Sequence, residues 1–303
     1  MKKHLFYIIA VAMAISSCTK DNGFDMKPNI IMTTAKSETV WFCLTGTGNA
    51  IIDWGDGTKS DITLSQEALG SEDTQFSYDY SDTTVRNITI AGGNITEFNC
   101  TGILGLAFDN QLTKLDVSNA TALTVLHCTG NQLINLNISN NNALTGLYCT
   151  GNQLTSLDVS NNKVLRYLDC SNNQLTGLDI SSNIALTHLS CSNNQLTNID
   201  VSNNIALLSL YCGYNWLTSL NTSENNMLFQ FSCVNNYMDA AALDAMFETL
   251  HAKDITLSYN GSQITADKFV SIANNGPNYD GSGTNGCDKS IATSKGWKVN
   301  TAE

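Results

Sequence analysis

The chain has 303 residues, 14% charged and 42% hydrophobic, with a formal net charge of −12, 10 cysteines and 2 prolines. A chain so poor in Lys and Arg cannot neutralise many phosphates, which excludes nucleic acid as a partner, and its apolar fraction excludes a disordered acidic tail. Cysteines in this number would signal a disulfide framework in a secreted protein, so their positions decide how they are read.

Residues 1–17 have a basic start at Lys2 and Lys3 and an apolar run from Leu5 to Ile15. That is the build of a secretory signal peptide and is too short for a stable membrane span. The run ends Ile15-Ser16-Ser17-Cys18, with polar residues from Thr19 to Gly23 behind it. This resembles the lipobox of bacterial lipoproteins. The resemblance implies lipid attachment at Cys18, residues 18–28 as a tether, and a place on the bacterial outer membrane. The only membrane contact would then be the N-terminal lipid. Loss of residues 1–17 leaves 13 basic against 27 acidic residues, a formal −14.

Residues 29–93 read as short strands: 29–34, 40–44, 50–54, 76–78 and 85–90. Spacing of this kind predicts a small β-sandwich. The run Ile52-Asp53-Trp54-Gly55-Asp56-Gly57-Thr58, followed by an aromatic-rich strand, resembles the W-G-D-G turn of PKD-like domains, which implies an immunoglobulin-like fold serving as a spacer above the membrane. Asp53 and Asp56 are too few carboxylates for a Ca²⁺ site and suit the turn itself.

Residues 94–236 are organised by a repeat. Asn110, Asn131, Asn152, Asn173, Asn194, Asn215 and Asn236 are spaced by 21, as are Cys128, Cys149, Cys170, Cys191, Cys212 and Cys233. A fixed period of this length signals a solenoid. Each unit holds L-x-x-L-x-L-x-x-N twice, as in Leu154, Leu157, Val159, Asn162 and then Leu165, Leu168, Cys170, Asn173. The pattern resembles nested bacterial leucine-rich repeats. Alternation in each L-x-L or L-x-C step predicts strand-like edges with Leu and Cys inward. Two such edges per coil predict two parallel sheets facing each other. The absence of Pro between Pro28 and Pro277 suits an unbroken ladder.

The Cys column therefore reads as buried free thiols, with disulfides disfavoured because in-register parallel strands point their side chains the same way. Metal binding by the column is disfavoured in the same way; no metal and no cofactor are expected. Cys43, Cys100 and Cys287 lie outside the column by spacing.

Outward positions differ between the two halves of a coil. The first half is monotonous: Asp116, Asn137, Asp158, Asp179, Asp200, Asn221, each followed two residues later by Ser. The second half varies. One column reads His127, Tyr148, Asp169, Ser190, Tyr211, Ser232, and its neighbour reads Val125, Gly146, Tyr167, His188, Ser209, Gln230. Variation on one face over a constant scaffold marks that face for recognition, and Tyr is a favoured interface residue. The binding candidates are His127, Tyr148, Tyr167, Asp169, His188 and Tyr211, with Tyr214 and Trp216 at the adjoining edge.

Residues 237–303 read as the cap a solenoid end requires. Asp239 to His251 has helical periodicity with Asp239 as N-cap. Residues 255–260 repeat the L-x-L-x-x-N idea, 265–274 read as a helix, 278–286 as a flexible loop, and 287–299 as a helix and a strand. This tail resembles the C-terminal caps of bacterial surface leucine-rich-repeat proteins. No catalytic motif is present. The fold expected is mainly β: an immunoglobulin/PKD-like sandwich, a leucine-rich-repeat solenoid and a small α/β cap. The function expected is a non-enzymatic surface lipoprotein binding a protein partner in adhesion or host/envelope contact. A glycan-binding lipoprotein with an aromatic patch on the same face is the alternative.

Overall fold

A computed structural model describes residues 27–69, 71–101, 110–259, 262–276 and 281–302. The signal peptide, Cys18 and the tether up to residue 26 lie outside the described residues. No described helix is long and apolar enough to cross a membrane.

The N-terminal part comprises β1 (Ile30–Thr34), β2 (Thr39–Asp53), β3 (Lys59–Thr63), β4 (Gln75–Asp79) and β5 (Arg86–Asn99). The stretches expected as separate strands at 40–44 and 50–54 are one 15-residue strand, β2, bent at bulges around Thr45–Ala50. Its first half pairs β4 and its second half pairs β3, while β5 runs along both. Gly46 permits the bend, because a Cβ there would sit 2.2 Å from the Asn94 carbonyl oxygen. The W-G-D-G turn forms as expected. Asp53 and Asp56 accept the Gly55 and Thr58 amides at 3.0 and 2.9 Å, and the Trp54 ring stacks on Tyr78.

These strands are not separate from the solenoid. β5 continues into the repeat by parallel pairing with β7 (Val125–His127), and β1 pairs antiparallel with β6 (Lys114–Asp116). The boundary expected at 93/94 falls inside β5. One hydrogen-bonded sheet of 14 strands runs from the N-terminal strands to the C-terminus, and one hydrophobic core runs from Ile30 to Trp297. The N-terminal strands thus close the open end of the solenoid, where an exposed first coil would leave apolar surface and ladder groups in water.

The second half of each coil supplies β7, β8 (Gly146–Tyr148), β9 (Tyr167–Asp169), β10 (His188–Ser190), β11 (Ser209–Tyr211) and β12 (Gln230–Ser232), all parallel and in register. The expected second facing sheet is absent among the described residues. On the first half-coil only β6 is a strand, joined to the next coil by one bridge from Asp116 to Asn137. Asp158, Asp179 and Asp200 each accept the backbone N–H of the Ser two residues on at 2.9 Å, an Asx turn that Asp116 and Asp169 form as well at the ends of β6 and β9.

Two Asn columns stitch the coils, and they are not equivalent. In the first, Asn173 donates to the carbonyls of Cys149, Cys170 and Ser171 and accepts the Leu154 amide at 3.0 Å. In the second, Asn162 donates to Ile138 and Asn141 carbonyls at 3.2 and 2.9 Å, while its buried Oδ1 has no partner.

The nine described cysteines are buried and none is in a disulfide. Cys100, expected outside the column, heads it: β5 pairs with β7, and the Cys100 amide donates to the His127 carbonyl as the Cys128 amide does to Tyr148. The spacing of 28 residues between Cys100 and Cys128 hid this from a search for 21.

The cap begins as read, with α1 (Ala240–Thr249) capped by Asp239, whose carboxylate accepts the Ala242 amide at 2.8 Å. Beyond it the chain departs from expectation. Residues 255–260 do not extend the repeat, because β13 (Ile255–Tyr259) pairs only with β14 (Ser262–Ala266) in a separate hairpin. Residues 265–274 are not helical. They hold the end of β14 and then β15 (Lys268–Ser271), which joins the solenoid sheet beside β12. Val270, Ile272 and Asn275 are the true continuation: Asn275 donates to the carbonyls of Cys233 and Ile272 at 3.1 and 2.7 Å. Part of the loop expected at 278–286 is a short helix, α2 (Ser282–Gly286). α3 (Lys289–Ser294) and β16 (Trp297–Asn300) follow, β16 being the last strand of the sheet.

Candidate binding face of the solenoid

Because the short strands are in register, their outward residues align in two lateral rows. In one, His127, Tyr148, Asp169, Ser190, Tyr211 and Ser232 lie side by side; in the other, Val125, Gly146, Tyr167, His188, Ser209 and Gln230 do so. Parallel neighbours about 4.8 Å apart bring identical positions within ring-stacking distance. His127 stacks on Tyr148 with centroids 4.3 Å apart and planes 3° apart, and Tyr167 stacks on His188 at 4.7 Å and 17°. The two pairs sit in different rows of adjacent coils. Gly146 allows the first, since a Cβ there would meet the Tyr148 ring at 3.2 Å.

Further along, Gln230 accepts from Tyr211 Oη at 3.1 Å and from Ser209 at 3.2 Å. Ser171 and Ser190 hydroxyls bond at 2.7 Å, and Asp169 accepts the Ser171 amide at 3.1 Å. Thr187 hydroxyl and His188 Nδ1 lie 2.9 Å apart. Burial holds His127 and His188 below the usual imidazole range, so both are neutral near pH 7. Burial first, then the neighbouring Tyr167 and Asp169, raises the Tyr148 phenol. The face therefore presents neutral amphipathic rings in fixed orientations, with Asp169 as its central carboxylate. Behind it the thiols are inert: burial pushes Cys191 up to about 12.

The structure brings His127, Tyr148, Tyr167, Asp169, His188 and Tyr211 onto one surface. Tyr214 and Trp216 are elsewhere, on the turn that follows β11, where they line a small cleft with Asn193, Asn194 and Asn235. Sequence reading missed that the rows extend past the repeats. β5 adds Glu97 and Asn99 at one end, while β15 and β16 add Phe269 and Lys298 at the other. Phe269 is exposed, with the Lys298 ammonium 5.2 Å from its ring and 2.7 Å from Asp267. The Val270-x-Ile272-x-x-Asn275 pattern was the available signal. Among the described residues, no group of three or more His, Cys, Asp or Glu is placed to hold a metal ion.

Residues 163–204 match the family model described as Leucine Rich repeats (2 copies). This segment is leucine-rich repeat. The repeat coils on either side share its period and its in-register strands. No curated protein matches the sequence. The fold is similar to that of the functional domain of InlJ from Listeria monocytogenes, described as including a cysteine ladder. Identity there is 25% over 74% of this chain and 56% of that chain, with a TM-score of 0.42. An internalin, InlF, from the same organism is 18% identical over 62% of this chain and 50% of that one, with a TM-score of 0.46. A leucine-rich-repeat protein of Leptospira interrogans is 17% identical over 61% of this chain and 56% of that one, at 0.39. The chain spans 50–56% of the length of these solved structures.

Proposed function

We propose that the protein is a non-enzymatic leucine-rich-repeat scaffold that binds a protein partner through the two outward rows on β7–β12. The observation that carries this is the stacked His127–Tyr148 and Tyr167–His188 pairs on a face whose other positions, Val125 and Tyr211 apart, are Gly, Ser, Asp and Gln. Rings fixed against one another lose little conformational freedom on binding, which favours them as interface anchors. Each Tyr of a pair has one face covered by imidazole, which holds its ring edge and hydroxyl in place for contacts to a protein. Cys18 carries a lipid in this reading, the signal peptide is removed, and the N-terminal strands, PKD-like in their W-G-D-G turn, connect the tether to the solenoid at the bacterial outer membrane. Adhesion or host/envelope contact is the role such a display serves.

The test compares the full chain with a Tyr148→Ala, Tyr167→Ala, Tyr211→Ala variant as baits against envelope and host surface proteins. A partner retained by the first and lost by the second, with circular dichroism unchanged, supports the face. Equal retention refutes it. Labelling with an alkyne fatty acid, lost in Cys18→Ser, tests the anchor.

A further inference from the structure

One coil of the solenoid departs from the repeat at two turn positions. Where the other coils hold Gly130, Gly151, Asn172, Asn193 and Asn235, this coil holds Tyr214; where the four preceding coils hold Gln132, Gln153, Gln174 and Gln195, it holds Trp216, and the last coil holds Tyr237. Both departures are unfavourable to the fold alone. The turn requires a left-handed backbone, φ 55° at Tyr214, against 69° and 67° at Gly130 and Gly151. Gly and Asn tolerate that region, and a bulky ring does not. Trp216 leaves 44% of its surface in water and Tyr214 46%. Gly213 completes the set, since a Cβ in its place would meet Val234 Cγ2 at 2.8 Å. A strained aromatic beside an exposed one, in a repeat that offers an unstrained consensus at both positions, is the kind of outlier that marks a site.

The two rings and Asn193 line a cleft of about 350 Å³, near the lower end of small-ligand sites. Asn193 donates to Asn172 Oδ1 at 2.6 Å, which fixes its amide at the cleft rim with a carbonyl oxygen and a second N–H available to a ligand. No charged residue lines the cleft, so a phosphate or an acidic or basic peptide would find no counter-charge. The cleft contains none of the residues of the two outward rows, so this site stands independently of the proposed protein-binding face.

We infer that the Tyr214–Trp216 cleft is a second binding site, for a neutral pyranose ring of a glycan. Aromatic planes take the apolar C–H face of the sugar, and the Asn193 amide takes a hydroxyl as donor or acceptor.

The test titrates the full chain with neutral oligosaccharides of the cello-, malto-, xylo-, chito- and manno-series. The readout for the original chain and for Tyr214→Asn is tryptophan fluorescence, because Trp54 and Trp297 are buried and Trp216 is the most exposed indole; Trp216→Gln, which lacks that reporter, is titrated by isothermal calorimetry. At least one series should shift the emission saturably. Trp216→Gln and Tyr214→Asn restore the repeat consensus, so both should fold, and Tyr214→Asn should raise the thermal midpoint. Each should weaken binding about tenfold or more, the loss of one aromatic contact. Tyr148→Ala and Tyr167→Ala should leave it unchanged. The proposal is overturned if no series binds or if the consensus variants bind as well as the original chain. It is equally overturned if a proline-rich peptide, and no sugar, gives the Trp216-dependent shift.

Discussion

The two Asn columns look alike in the sequence, and the structure assigns them different energetic roles within a single coil. Truncating Asn173 to Ala removes donors to the Cys149, Cys170 and Ser171 carbonyls, but each keeps another donor, from Asn152 at 3.0 Å, Asn194 at 3.1 Å and the Gly151 amide at 3.0 Å. What has no replacement is the acceptor for the buried Leu154 amide, 3.0 Å from Asn173 Oδ1. An orphaned buried N–H costs about 1–3 kcal/mol beyond the bonds lost. Truncating Asn162 removes only its donated bonds to the Ile138 and Asn141 carbonyls. Its acceptors remain bonded to the Asn141 and Leu144 amides, and an unpartnered buried oxygen is removed with the side chain. The volume deleted is the same and every carbonyl acceptor keeps another donor, so the orphan carries most of the difference: Asn173→Ala should cost about 2 kcal/mol more than Asn162→Ala. In urea titration followed by circular dichroism, that is a midpoint difference of roughly 1 M for a slope near 2 kcal/mol/M. Equal midpoints, or a larger loss for Asn162→Ala, would refute the assignment of the ladder's stabilising bond to Oδ1.

Three further outcomes follow from the same geometry. The nine described thiols, buried and outside any disulfide, should be silent to Ellman's reagent in the native protein and react together on unfolding; native reactivity of Cys170 or Cys191 would contradict the column's burial. Burial holds His127, His188 and His251 below the usual 6.5. The unfolded chain then binds more protons than the folded one once pH drops through about 6.5, so stability should fall from about pH 7.5 to 5.5. His127→Gln should flatten that dependence, and a stability rising on acidification over this window would reverse the sign argued here. Gly46→Ala should destabilise by at least about 2 kcal/mol, because the new Cβ would overlap the Asn94 carbonyl at the bend of β2. A neutral result in thermal unfolding would show that the bend relaxes freely.

Periodicity carries far in this chain because each coil repeats the same local problem. The inward Leu and Cys columns and the N-cap at Asp239 were legible from spacing and residue chemistry. Misreadings arose where a segment's partner is distant. Residues 265–274 satisfy a helical apolar pattern and also an alternating one at Lys268, Val270 and Ile272. The amides and carbonyls of β12 settle it, with Phe269 donating to Phe229 and Cys233 to Ser271. The variable columns lie on one outward surface of β7–β12, but the ring pairings and the cleft that Tyr214 and Trp216 line depend on coil-to-coil register.

The sequence by itself determined a 21-residue coil, which side of it is buried, and which outward columns vary, since these follow from side-chain alternation and turn chemistry within a few residues. Only the tertiary structure decided that one strand ladder forms instead of two, because the Asp–Ser turn occurs in both kinds of half-coil and pairing depends on how neighbouring coils meet. It also decided where the solenoid ends. β5 and β1 close one side and β15 with β16 the other. Open ladder edges bond to whatever strand the chain's path delivers, and that path does not obey the repeat.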